Sequence, residues 1–285
     1  MPPGRSVVLP GRGRTWVRTV GDGSTALVLL HGWTATAAVN WVHSFAPLAA
    51  AGHLVVGLDQ RGHGRGIRPS PLRGFRLEDC ADDVIALADA LGLERVIPVG
   101  YSMGGPVAQL TWRRHPDRVA GLVLCATARN FRGSPELSPG RLALVGGVSG
   151  VAAALRAVPP GVRRRATRAS VVWRKRALGM PDWILEEIAR NDPATVLEGF
   201  RALQSFNSSD WIGEVDVPTA VVVPTGDHVV PPSRQRKLAG AIPGASVWPV
   251  AGDHDVCVTG PQVFPPVLVA ACNSVVASVS VQGLR

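Results

Sequence analysis

Cysteine is scarce in this 285-residue chain, and its four copies, Cys80, Cys125, Cys257 and Cys272, form no CxxC pair. That spacing argues against a disulfide scaffold and against a zinc cluster. Charge is sparse too, at 18% of residues, and tyrosine occurs once, as Tyr101. No charge-rich tail, low-complexity tract or long repeat stands out. A mean hydropathy of +0.17 is too apolar for a disordered protein and suits a large buried core. The Gly-, Pro- and Arg-rich start, Met1 to Trp16, lacks the apolar centre of a signal peptide. The longest low-charge stretch, Val263–Val281, contains Pro265, Pro266, Asn273 and three serines. It reads as a buried terminal helix rather than a transmembrane span. These features together give the expectation of a soluble, cytoplasmic protein.

Acidic residues are outnumbered, and the net charge of +9 raises nucleic acid as a partner. Over half of the excess sits between Asn130 and Asp210, where twelve Lys or Arg face seven Asp or Glu. The dense parts are Arg163–Arg165 with Arg168, and Arg174–Arg176. No helix-turn-helix turn, aromatic–basic interleaving or zinc spacing accompanies them. A solvated helix face is the expectation, with no specific nucleic-acid binding.

What is present is a recurrence of short apolar runs: Ala26–Leu30, Leu54–Leu58, Arg95–Val99, Val119–Cys125, Thr219–Val223 and Ser246–Val250. Runs of about five apolar residues bounded by Gly, Asp and Pro suit strands buried on both faces, hence parallel pairing. Val7–Leu9 and Thr15–Val20 suggest an antiparallel hairpin at the sheet edge. Between the runs lie helix candidates. In Leu77–Leu91, Val84, Leu87, Ala88 and Leu91 recur at helical spacing, acids crowd the first turns, and Gly92 follows as a C-cap. Alternating strand and helix argues for a doubly wound α/β sheet. The alternation breaks between about Asn130 and Asp210, where a helical insertion of roughly 80 residues is expected.

Chemistry concentrates at Gly100-Tyr101-Ser102-Met103-Gly104, a single G-x-S-x-G between a predicted strand and the helix candidate Val107–His115. A nucleophile on a sharp strand-to-helix turn takes a strained backbone, and the flanking glycines let that turn close. The turn lifts the serine oxygen off the sheet and aims N–H groups at developing negative charge.

At this point the chain resembles the α/β-hydrolase superfamily of serine hydrolases. His31-Gly32-Trp33 follows a strand, where that family keeps its oxyanion loop, and Asp59-Gln60-Arg61-Gly62-His63-Gly64 is similar to its D-x-R-G-x-G segment. Gly66 stands where the family usually has serine. Ser102, Asp227 and His254 follow in the family's order, the latter two after the strands ending at Val223 and Val250. Rivals stay open for the acid (Asp253 and Asp255), and six other histidines compete for the base. Gly226 abuts Asp227 where relatives usually have a residue or two between.

The resemblance implies an α/β-hydrolase fold: a mostly parallel eight-stranded sheet flanked by helices, with residues 1–129 and 213–285 as core and 130–212 as a helical cap. It implies a Ser102, Asp227, His254 triad, with the Trp33 and Met103 N–H groups as oxyanion hole and no metal or cofactor. Trp33 is a candidate substrate contact; Tyr101 is expected to pack beside the turn or else to line the pocket. Epoxide hydrolases on this fold use an aspartate nucleophile, which Ser102 replaces.

The expected reaction is cleavage of a small-molecule carboxylic ester through an acyl-enzyme. The Leu, Ala, Val and Trp of the insertion (Trp173, Trp183, Trp211) suggest an apolar acyl group, or else merely dock the cap. The cap is expected to select substrate and add nothing to the chemical step. Alternatives are haloperoxidase-like perhydrolysis, thioester or carbon–carbon hydrolysis on the same triad, and a non-catalytic ligand receptor.

Overall fold

The fold is seen in a computed structural model, which describes residues 1–69, 74–131, 158, 162 and 181–282. Eight strands form one sheet: β1 Gly4–Leu9, β2 Gly13–Val20, β3 Ala26–Leu30, β4 Leu54–Leu58, β5 Val96–Tyr101, β6 Leu122–Cys125, β7 Thr219–Pro224 and β8 Ser246–Val250. Their order is β1-β2-β4-β3-β5-β6-β7-β8. The β1–β2 and β2–β4 pairs are antiparallel and the remaining pairs parallel. The hairpin and the six apolar runs are therefore all strands.

β3 to β7 are buried almost throughout, as two-sided cover by helices requires. β8 departs from the expected double burial. It is the edge strand, so Val247 and Pro249 face outward, and a proline there costs no ladder bond on its free side.

One apolar layer includes α3 Leu77–Ala90, α4 Gly104–Arg114 and α7 Pro232–Ala239. The other includes α1 Ala37–Asn40, α2 Phe45–Ala50, α8 Val256–Thr259 and α9 Phe264–Gln282. The acids Glu78 and Asp79 occupy the first turn of α3, and Gly92 takes φ +68° just beyond its end, as the C-cap reading expected. α9 lays Phe264, Leu268, Ala271, Cys272 and Val275 on the sheet. Its outer side is less covered: Phe264–Val281 has a mean hydropathy of 1.7, and a third of it is buried.

Between β6 and β7 the described chain forms α5 Asp182–Ile188 and α6 Pro193–Ser205. Asp192 caps α6 through its side chain, with Pro193 in the first turn. The segment leaves and rejoins the core side by side, where Asn130 pairs with Asn207 and Arg129 O accepts the Ser208 N–H at 2.8 Å. The arginine clusters at Arg163–Arg168 and Arg174–Arg176, and Trp173, lie outside the described residues.

Candidate active site

β3 and β5 are neighbours, although the chain runs from β3 to β4 on one side and from β5 to β6 on the other. The loops leaving their carboxyl ends therefore open a crevice at a topological switch point. The loop after β3 carries His31, Gly32 and Trp33, and the turn after β5 carries Ser102.

Ser102 has φ +51°, and the other described non-glycine residues in that region, Thr34 at +66° and Ala126 at +49°, follow β3 and β6. Such a backbone costs about 1–3 kcal/mol per residue and persists where the surroundings enforce it. At Ser102 the enforcement is visible. Cys125 O accepts its N–H at 2.9 Å, and its carbonyl accepts the Gly105 N–H and the Thr127 hydroxyl, each at 2.9 Å. The two motif glycines close the turn. A Cβ on Gly100 would sit 2.3 Å from Gly104 O, and one on Gly104 would sit 2.1 Å from Leu30 O.

Ser102 Oγ lies 3.0 Å from His254 Nε2, and His254 Nδ1 lies 2.8 Å from Asp227 Oδ2. An ionised carboxylate only accepts, so Nδ1 carries the proton and Nε2 is left to accept from the serine hydroxyl. Asp227 is buried, and a lone carboxylate there would cost several kcal/mol. Its Oδ1 accepts the Val229 and Val230 N–H groups at 2.9 and 2.8 Å, and its Oδ2 also accepts Gln235 Nε2 at 3.0 Å. The loops after β7 and β8 are stitched together, with Thr225 N–H to Val250 O and Gly226 N–H to Gly252 O at 2.9 Å each. Asp227 reaches His254 despite the absent spacer after Gly226.

The rivals are engaged elsewhere. Asp253 Oδ1 accepts the His228 and His254 N–H groups, bonds that hold its exposed carboxyl below the usual range. Asp255 accepts from Thr259, and its carboxyl is exposed. His228 is exposed, His53 meets Asn273, and His115 meets Asp82. His31 and His63 are buried with ring centroids 5.2 Å apart, and burial pushes them down to about 3 and about 4.

Gly32 is close enough to Ser102 that a Cβ on it would meet the serine Cβ at 3.3 Å. The following peptide N–H, that of Trp33, and the N–H of Met103 are unpaired among the described residues. Two free donors beside a hydroxyl paired to imidazole are what an oxyanion-stabilising site requires.

Tyr101 packs beside the turn, one of the two roles expected for it, and Trp211 docks on the core. Tyr101 is 2% exposed, packs on Trp41 and Phe264, and donates its hydroxyl to His254 O at 2.6 Å. It braces the histidine loop from below, buried rather than open to a crevice. Trp211 stacks on Trp112 of α4, and Trp183 is exposed. Trp33 is half-buried, with its ring against Phe200 of α6.

A family model described as the alpha/beta hydrolase fold matches residues 25–261. The chain belongs to that family. Hydrolase chemistry is the activity this membership supports. The α/β hydrolase is 30% identical to the non-heme chloroperoxidase of Streptomyces lividans over 87% of this chain and 91% of the relative. It is 39% identical to epoxide hydrolase B of Mycobacterium tuberculosis over 97 residues, 34% of this chain and only 27% of that relative. A bromoperoxidase structure from Bacillus anthracis, 20% identical, superposes with a TM-score of 0.75 over 95% of this chain and all of the other.

Sequence reasoning missed Gln235, Asn40 and Asn191. Asn40 Oδ1 accepts the Gly32 N–H at 2.9 Å and so fixes the β3 loop. None stands in a local motif. Asp192-Pro193 is a helix-start signal that could have placed α6, and with it the neighbouring Asn191.

Proposed function

We propose that this α/β hydrolase cleaves carboxylic esters with an apolar acyl group through a serine-bound acyl intermediate. The observation that carries the reading is the unbroken relay from buried Asp227 through His254 to Ser102 Oγ, on a serine held at positive φ. Ser102 Oγ attacks the acyl carbon while its proton passes to His254 Nε2. The Trp33 and Met103 N–H groups take the oxyanion, each worth about 3–4 kcal/mol in the transition state. Collapse expels the alcohol, which receives the proton from His254. Water then repeats the sequence and frees Ser102. A serine at the turn supports acyl transfer over epoxide opening, which on this fold starts from an aspartate. In this reading residues 130–212 form the cap, α5 and α6 being its described part.

The test is a nitrophenyl ester series of rising acyl length, with thioester and peroxide controls. Multiple turnover is expected, with preference rising about threefold to fourfold per carbon until the pocket is full, since each buried methylene contributes roughly 0.8 kcal/mol. A fluorophosphonate should add once, on Ser102, and Ser102→Ala should abolish both labelling and turnover. Labelling of another serine, or a single covalent trapping without turnover, overturns the reading. A second reading, perhydrolysis with peroxide replacing water at the acyl-enzyme, is favoured by the chloroperoxidase similarity. The peroxide arm separates the two.

A further inference from the structure

The described part of the insertion grips the oxyanion loop at two consecutive residues. Asn191, between α5 and α6, is 6% exposed, and both ends of its amide are used. Its Nδ2 donates to Thr34 O at 2.6 Å and its Oδ1 accepts the Gly64 N–H at 2.7 Å. Thr34 is the β-branched residue at φ +66°, a conformation that threonine does not hold unaided. The indole of Trp33 donates to Val196 O of α6 at 2.7 Å. The peptide N–H of Trp33 thus sits on a loop whose side chain and next carbonyl are both tied to the insertion.

We propose that Asn191 is a positioning residue of the oxyanion hole: its amide clamps Thr34 to the Gly64 turn and so keeps the Trp33 N–H facing Ser102. The inference rests on the serine-hydrolase reading and deepens it. It also departs from the expectation that the insertion adds nothing to the chemical step. Without the clamp Thr34 relaxes toward negative φ, the adjoining peptides rotate, and one of two donors swings off the developing oxyanion. Ground-state binding, governed by the acyl group, is left alone. A misplacement of about 1 Å at reacting atoms is enough for a 10²-fold loss.

The experiment measures kcat, KM and inhibition by a trifluoromethyl ketone of matching chain length, whose serine adduct places an oxyanion in the hole. The variants are Asn191→Ala, Asn191→Asp and Trp33→Phe. Asn191→Asp keeps the acceptor for Gly64 while setting an oxygen against Thr34 O, so it serves if the alanine variant does not fold. Both Asn191 variants should lose about 10-fold to 100-fold in kcat with KM within threefold, and the ketone should weaken by the same factor. Trp33→Phe should fall between these and the parent. Glu187→Ala, which breaks the insertion's ion pairs with Arg65 and Arg190 but leaves the Asn191 amide its own partners, should lower Tm and leave kcat within twofold. Asn191 variants with kcat and ketone affinity within twofold of the parent overturn the inference. So does Glu187→Ala losing as much kcat as they do, since general loosening then suffices. Absence of Ser102-dependent turnover on any ester overturns the serine-hydrolase reading and this inference with it; Ser102-dependent turnover indifferent to Asn191 overturns this inference alone.

Discussion

At the scale of single residues, the arrangement turns on which carboxylate fixes the histidine tautomer. Asp227 spends one oxygen on two backbone N–H groups and the other on His254 and Gln235, so its orientation is set from four directions. Asp227→Asn brings an NH₂ group toward Nδ1 and favours the tautomer whose Nε2 carries the proton. A kcat loss on the order of 10⁴, with Tm little changed, is the expected outcome, by analogy with serine proteases. Asp253→Asn retains an acceptor for the His228 and His254 N–H groups and should stay within about threefold. Steady-state ester kinetics on both variants check this, and the reverse pattern would move the assignment to Asp253. The G-x-S-x-G motif and the order of residues after strand ends pointed to Ser102, Asp227 and His254 as candidates, while sequence left Asp253, Asp255 and six histidines as rivals. Gln235 and Asn40 were illegible. Each matters only through a tertiary approach, and a glutamine on a helix or an asparagine in a loop has no local signature. Tyr101 was ambiguous because a residue beside the turn faces either the crevice or the layer beneath, and period-2 alternation decides that only once register is known.

At the scale of elements, the loops after β3 and β4 interlock through a histidine pair that no motif advertises as ionisable machinery. His31 Nδ1–H donates to Gly32 O and its Nε2 accepts the Gln60 N–H, while His63 Nδ1–H donates to Arg61 O. The bond accepted at His31 Nε2 needs a neutral ring, and burial lowers both histidines far below the ordinary value. An unfolded chain takes up protons near pH 6.5, and the folded chain refuses them until about 4 at His63 and about 3 at His31. Stability therefore falls as pH drops through that window, by about 1.4 kcal/mol per pH unit for each histidine, and levels off below it. Buried Asp59, which burial pushes up, opposes this at the acid end. Urea midpoints taken from pH 7 to pH 4.5 should fall steadily, and His63→Gln should flatten the slope by about half. A slope unchanged in that variant would remove His63 from the account. The strands themselves were legible throughout, except that apolarity placed β8 in the sheet without saying it was the edge. An edge is a property of strand order, which five residues do not contain.

At the scale of the whole molecule, the excess of positive charge remains to be placed, since its densest clusters lie in the insertion outside the described residues. If they only solvate a helix face, DNA binding should be weak, indifferent to sequence and lost near physiological salt, because it would rest on counterion release alone. Fluorescence anisotropy against a salt series measures this, and tight, salt-resistant, sequence-selective binding would contradict it. The insertion was recognisable as a break in alternation, yet its grip on the oxyanion loop was not, since Asn191 and Thr34 lie 157 residues apart in the chain. The hydrogen bond from Ser102 to His254 spans a similar separation, 152 residues. On a ribosome adding about 5–20 residues per second, the serine leaves the peptidyl-transferase centre some 8–30 seconds before its histidine exists. In the serine-hydrolase reading, the turn after β5 holds an ordinary, unactivated alcohol for that interval, and β8, the last of the described strands, brings the group that arms it.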